Sequence, residues 1–567
     1  MQRRLLLALT LGVGVILLTN VFFPPAPPPA VPEASAVAGA AGAAGTTAPA
    51  SATTAAAPLT GAAVAPAGAE AASPPTAETM PFAPVETLTI ASPKATFRFS
   101  TLGAAVLPAT LPTYRSLRSK GDSTPVLVGR GEEALFSYAL VVPGDTVAID
   151  SWPFTAERTQ DASGETLTFT ATNGPVRVRI AYTVPTDTAL AYRVRVAASI
   201  EGVAGNPYLL VRMPEGFQSQ EANPEEDATH TAYVFKRRGG DASSIAFSSL
   251  DPEEQTLAPG PHTWVAAKSK YFVAAILAPT EQDELFAELS VTGGARTERY
   301  ASNARATVVT ATRAGNAAWE LYIGPQEWRR LVAAGRDFDN VNPYGGWLQG
   351  VVQPFATIVM RILLWMRDTT ALSYGWVLVI FGVAVRLVLW PLNQSAMRSS
   401  IRMQRIQPEL QALQAKFKSD PQKLQAEMMK LYAAHGMSPF SAFSGCLPML
   451  IPMPVLFALF FVFQNTIEFR GVPFLWLPDL SAKDPYFITP VAMAGTMLLM
   501  SWIGMRGAPP NPQAKLMMWL FPAMMLVFFW NFASGLNLYY TVQNIAALPQ
   551  QWLIANERLK AAPGKAG

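Results

Sequence analysis

Phe381-Gly-Val-Ala-Val-Arg386-Leu-Val-Leu-Trp-Pro391 sets one arginine inside an apolar run that extends from Tyr374 to Leu392. At ~1.5 Å per helical residue such a run approaches the ~30 Å thickness of a bilayer's hydrocarbon layer, so it reads as a membrane span. Arg386 sits about six residues from the cytoplasmic end, roughly 9 Å deep. A guanidinium at mid-bilayer costs about 2.5 kcal/mol or more. Snorkelling toward the surface relieves part of that cost. The sharper expectation is a wet cavity open to the cytoplasm, because no Asp or Glu occurs in this span or in the others described below.

Four more apolar runs follow: Cys446 to Phe463, Phe487 to Met505, Leu516 to Phe532 and Leu536 to Leu553. Cytoplasmic loops carry an excess of Lys and Arg, so alternating the spans makes a prediction about charge. Segment 393–445 would be cytoplasmic, and it holds Arg398, Arg402, Arg405, Lys416, Lys418, Lys423 and Lys430. The loop from Gln464 to Tyr486 sets Arg470 and Lys483 against Glu468, Asp479 and Asp484, as suits the outer side. Arg506 and Lys515 flank the next inner loop, and Arg558, Lys560 and Lys565 mark a cytoplasmic tail over 554–567. Every connection obeys the rule. The core of five spans covers 371–553.

Segment 393–445 has its own pattern. Ile406, Leu410, Leu413 and Phe417 repeat at helical spacing, as do Leu424, Met428 and Leu431. Between them Asp420 can cap a helix and Pro421 suits its first turn. The pattern predicts a helical hairpin, basic enough to meet lipid headgroups, a ribosome or a nascent chain. In the last span Asn537, Tyr540 or Thr541, and Asn544 share one helix face. That face either lines a cavity or makes hydrogen bonds between helices. Of the 20 Met residues, 17 follow Tyr344. Flexible Met surfaces suit varied apolar partners, and core filling is the other reading.

On the N-terminal side, Trp347 to Arg367 is apolar but broken by Gln349, Gln353 and Arg361, which suggests an interfacial amphipathic helix over 346–370. Residues 81–345 alternate as strands do, for example in Val176-Arg-Val-Arg-Ile180, and predict a large all-β sandwich. Its acidic clusters, Glu221 to Asp227 and Asp251 to Glu254, read as solvated loops. Residues 24–80 are mostly Ala, Pro, Gly, Thr and Ser and read as a disordered tether. Residues 1–23 hold Arg3 and Arg4 before an apolar run and read as an anchor, the sixth span, with the arginines cytoplasmic. Both chain ends would then be cytoplasmic and the β domain periplasmic.

A net charge of +3 gives no reason to expect nucleic acid. Cys446 is the one cysteine, and His230, His262 and His435 are the only histidines, so neither a disulfide nor a metal cluster is expected.

Leu321-Tyr-Ile-Gly-Pro, Val385-Arg-Leu-Val-Leu-Trp-Pro-Leu392, Met403-Gln-Arg-Ile-Gln-Pro408, Cys446-Leu-Pro-Met-Leu-Ile and Ser534-Gly-Leu-Asn-Leu-Tyr-Tyr540 together resemble the YidC family of insertases. The resemblance implies a periplasmic β-supersandwich and a membrane α-helical bundle with a hydrophilic groove, closed to the periplasm but open to cytoplasm and lipid. It matches the family's groove arginine to Arg386, with Gly382 nearby and Tyr540 at the groove wall. Family substrate contacts map to the spans near Tyr374, Cys446 and Leu516. There Met449, Met453, Phe457, Met524 and Phe528 form a candidate sliding surface for apolar client segments. Two departures stand out. Pro452 replaces a Gln common in relatives, and Gly382 lacks a hydroxyl that some carry. The resemblance implies a non-enzymatic insertase in the bacterial inner membrane. Nascent membrane proteins, the Sec translocon, the ribosome and membrane lipids would be its partners, and it would need no cofactor, metal or small-molecule substrate. A secondary transporter would need paired ionisable groups and internal repeats. A membrane-anchored glycan enzyme would need a carboxylate pair in the β domain.

Overall fold

The computed structural model describes residues 85–561 apart from 120, 281–282, 284, 298–299, 302, 344–348, 392, 395–405, 407–408, 411, 414, 418–419, 435–452 and 508–511. The expected anchor and tether lie outside the described residues, as do Arg402, Arg405, Met449 and Pro452. Pro421, Met453 and Phe457 are described by their backbone alone.

Strand periodicity becomes antiparallel pairing. Val176–Val184 buries Val178, Ile180, Tyr182 and Val184 and exposes Arg177 and Arg179, the two-residue alternation of a half-covered strand. Four strands from Thr87 to Val128 form one sheet, and a second has 14 strands. The larger sheet folds over on itself. Tyr182 Oη donates to Tyr138 Oη at 3.0 Å, and the Tyr138 and Trp319 rings are 6.0 Å apart. The strand Ser137–Val142 is nevertheless remote from both of their strands in the hydrogen-bonded order. Contacts from opposite parts of one sheet make a sandwich with a shared core.

One long strand turns the corner. Gln255–Lys268 pairs through its first part with Phe286–Gly293 and through its last part with Phe272–Leu277 and Ala232–Arg237. The register shifts between Pro259 and His262. A Cβ on Gly260 would stand 2.5 Å from Phe286 O and 2.6 Å from Ala287 O, so only glycine admits this approach.

The helices are α1 (Pro224–Ala228), α2 (Trp328–Ala334), α3 (Gln349–Thr370), α4 (Tyr374–Val388), α5 (Pro421–Ala434), α6 (Met453–Asn465), α7 (Ile488–Gly504), α8 (Pro512–Phe529) and α9 (Ser534–Ala561). The chain bends by 119° between α3 and α4. Among the described residues no single helix is both long and apolar enough to cross a membrane, although α3 and α4 together pass that test. The outward faces are apolar all the same: Trp376 and Leu387 on α4, Trp502 on α7, Val527 on α8 and Trp552 on α9 are exposed. A surface of this kind needs lipid or protein against it.

The loop between α6 and α7 fastens to the β domain. Arg470 Nε donates to both Glu221 carboxylate oxygens at 2.9 and 3.0 Å, and its Nη1 donates to Arg115 O at 3.0 Å. The side chains keep only 4% and 10% of their exposure. This corrects the expectation of a solvated loop over Glu221 to Asp227, whereas Asp251 to Glu254 are exposed as expected. Glu221 and Asp227 are buried, because Glu221 meets a basic residue from far along the chain and Asp227 accepts from Lys270 N at 2.9 Å.

Glu468, two residues before Arg470, is half-buried with its carboxylate turned inward. Its Oε1 accepts from Trp328 N at 3.2 Å, and its Oε2 has no partner among the described residues. Burial pushes this carboxyl up to about 7, with Glu327 adding and Arg329 opposing. Burial lifts Glu221 to about 7 as well, against the pull of Arg470. Both groups bind protons more tightly in the folded protein than at the ordinary carboxyl value of 4.5. Their contribution is therefore full below 4.5 and lost as pH rises through about 7.

Two outcomes follow from this packing. Gly260→Ala should lower the thermal midpoint of the β domain, at an overpacking cost of ~1–3 kcal/mol. Hydrogen exchange of α2 and the Glu468 loop should quicken, relative to intrinsic rates, between pH ~5 and ~8, and Glu468→Gln should remove part of that dependence.

Candidate functional site

α4 and α9 meet along a seam whose polar contacts recur by helical turns. Gly382, Arg386 and Trp390 stand four residues apart and share one face. Gln543 and Gln550, seven residues apart on α9, share another. Gln543 Nε2 donates to Gly382 O at 3.0 Å and to Tyr539 Oη at 2.8 Å. Arg386 Nη2 donates to Gln550 Oε1 at 2.9 Å. Gln550 Nε2 donates in turn to Trp390 O at 3.1 Å and Gln394 Oε1 at 3.2 Å. Gln550 is fully buried. Gly382 lets the helices close, since a Cβ there would already lie 3.1 Å from Val542 Cγ1.

An open cleft of about 480 Å³ lies along the seam. Val379, Val383, Leu387 and Trp390 line one side and Val542, Ile545, Ala546 and Pro549 the other, with Arg386 the one charged lining residue. Arg386 is half-buried, and its Nε has no partner among the described residues. Its partner on α9 is an amide, not a carboxylate. Among the described residues the arrangement is a cation with donors to spare, set in an apolar wall. Chemically it suits an anionic group carried on an apolar chain.

The other candidate residues are placed elsewhere. Asn544 Nδ2 donates to Met493 O at 3.3 Å and Thr496 Oγ1 at 3.2 Å on α7. Asn537 Nδ2 donates to Phe529 O at 3.2 Å, at the end of α8. Thr541 Oγ1 donates back to Asn537 O at 2.8 Å, and Tyr540 meets the Phe529 ring edge-on at 5.4 Å. This face thus joins α9 to α7 and α8, while Gly382 and Arg386 lie on the α4 seam. Met524 and Phe528 are half-buried on α8, with the Phe528 ring 4.9 Å from that of Phe532. Asp420 Oδ1 accepts from Lys423 N at 3.1 Å and caps α5. Sequence reasoning passed over Gln543 and Gln550. Their seven-residue spacing in an apolar run was the available signal. Among the described residues no cluster of His, Cys, Asp or Glu is placed to hold a metal ion.

Residues 87–358 match the family model described as the YidC periplasmic domain, and residues 365–561 match that of the 60Kd inner membrane protein. The class is thereby defined: a helical inner-membrane region carrying a large β-rich periplasmic domain. A membrane protein insertase YidC from Chlorobaculum tepidum is 32% identical over 391 residues, covering 66% of this chain and 65% of that protein. Another from Chlorobium phaeovibrioides is 32% identical over 386 residues, covering 65% of each. The match thus spans about 65% of the length of these curated relatives. A crystal structure titled as an active YidC insertase with its first transmembrane domain resolved aligns with 83% of this chain and 94% of its own, at 18% identity and a TM-score of 0.33. The chain belongs to the YidC family.

Gly382→Ile should force α4 and α9 apart, because the added branch would meet Val542. A lowered melting temperature in detergent, by an overpacking cost of ~1–3 kcal/mol, is the expected reading.

Proposed function

We propose that this protein inserts transmembrane segments of client proteins into the inner membrane, with Arg386 offering transient pairing to an acidic client tail. The observation that carries the reading is the Arg386 guanidinium, half-buried in an apolar cleft and held by an amide. Among the described residues this arginine has no carboxylate partner, and its charge is kept for a visitor. The names of the relatives, membrane protein insertases, support the same reading.

The barrier to insertion is moving a polar tail through hydrocarbon. A groove reaching part-way across shortens that path, and Arg386 meets the tail's carboxylate inside it. The client's apolar segment slides along Met453, Phe457, Met524 and Phe528 into lipid, driven by burial at about 25 cal/mol per Å². A membrane potential positive outside assists an acidic tail at ~2.3 kcal/mol per charge per ~100 mV. The scheme needs no catalytic residue, cofactor or nucleotide.

The proposed topology has six spans, both termini cytoplasmic and the β domain outside. Docking of the 466–472 loop on the β domain through Arg470 supports one part of it, since the two must share a side of the bilayer. The basic hairpin over 393–445, with Arg402, Arg405, Asp420 and Pro421, is the proposed contact for ribosome, nascent chain and lipid headgroups. The Sec translocon is the proposed partner for larger clients.

In proteoliposomes, Arg386→Ala should reduce insertion of an acidic-tailed client by roughly tenfold, equivalent to about 1.4 kcal/mol of lost pairing. Arg386→Lys should retain most of it. Equal insertion by the wild type and the alanine variant would remove the charge role.

A further inference from the structure

We infer that Gln550 is the positioning residue for Arg386: its buried amide holds the guanidinium against α9 and leaves its remaining N–H groups for a client carboxylate. This deepens the proposed function and rests on it.

Gln550 has no exposed surface, and all its described contacts point to the α4 end of the seam. Its oxygen accepts from Arg386 Nη2, and its nitrogen donates to Trp390 O and Gln394 Oε1. An amide turned over would set an NH2 against the guanidinium, donor to donor, and would lose both nitrogen bonds. The side chain is therefore locked in one sense. Trp390 lies two residues past α4, where the backbone enters a further helical turn. One side chain thus holds the backbone just past α4 and grips the arginine one turn earlier.

The chemistry of the partner matters as much as its position. A carboxylate at 550 would pair with the guanidinium and quench it, and an apolar side chain would leave it free to swing toward the surface. A neutral amide satisfies one donor and leaves the charge intact. Nε is buried without a partner among the described residues.

The test uses the full chain in proteoliposomes and two clients that differ only in an acidic or a neutral tail. The readout is the ratio of acidic-tailed to neutral-tailed insertion, which loss of folded protein lowers equally in both arms. The variants are Arg386→Ala, Gln550→Leu, Gln550→Glu and the double variant Arg386→Ala with Gln550→Leu. We expect the ratio to fall roughly threefold in Gln550→Leu and roughly tenfold in Gln550→Glu and Arg386→Ala. The double variant should match Arg386→Ala, because a residue acting through Arg386 has no further effect once the arginine is gone. A ratio unchanged in both Gln550 variants while Arg386→Ala lowers it overturns this inference alone. So does a Gln550→Leu effect of equal size in both backgrounds. An unchanged ratio in Arg386→Ala overturns the groove reading, and this inference with it.

Discussion

A guanidinium placed between two apolar helices has to be met by acceptors, and the rest of the helical region is arranged around that demand. Gln550 meets it without cancelling the charge, and the same amide reaches the end of α4 through Trp390. One turn in the other direction, Gln543 binds the Gly382 carbonyl. Close approach is possible there because Gly382 has no side chain to keep Val542 away. Small residue, amide and arginine are thus parts of one seam. The opposite side of α9 does different work, with Asn544 and Asn537 tying it to α7 and α8.

The β domain is joined to the helices by the same physical logic with the opposite balance. Arg470 is buried together with a carboxylate, and its charge is fully engaged by Glu221 and backbone oxygens. It also lies 5.3 Å over the Phe272 ring. Among the described residues Arg386 retains donors where Arg470 has spent them. The two arginines differ here in their partners, not in their burial alone.

Much of this organisation is legible in the chain. Two-residue alternation announced the β domain, and long apolar runs punctuated by basic loops announced the helical region. The arginine in Phe381–Pro391 was conspicuous because it broke a hydrophobic rule. Legibility failed where the partner is remote in sequence. Glu221 sits in a stretch with the composition of an exposed loop, and only Arg470 from far along the chain makes it a buried residue. The last span offered two polar faces, one with asparagines and one with glutamines. Periodicity groups residues on a face but does not say which neighbouring helix that face will meet. Asn537 and Asn544 therefore read as companions of Arg386, whereas the structure sets Gln543 and Gln550 against α4.

The corner strand Gln255–Lys268 has a temporal consequence for synthesis. It serves both halves of the sandwich, yet its partner Phe286–Gly293 is made after it, and the strand Arg193–Glu201 waits for Asn316–Pro325. Pairings of such long sequence separation form late, once the intervening chain exists. As the polypeptide emerges, the earlier strands keep open edges until nearly the whole domain has been synthesised. The domain is then completed as a unit only once Asn316–Pro325 has been made.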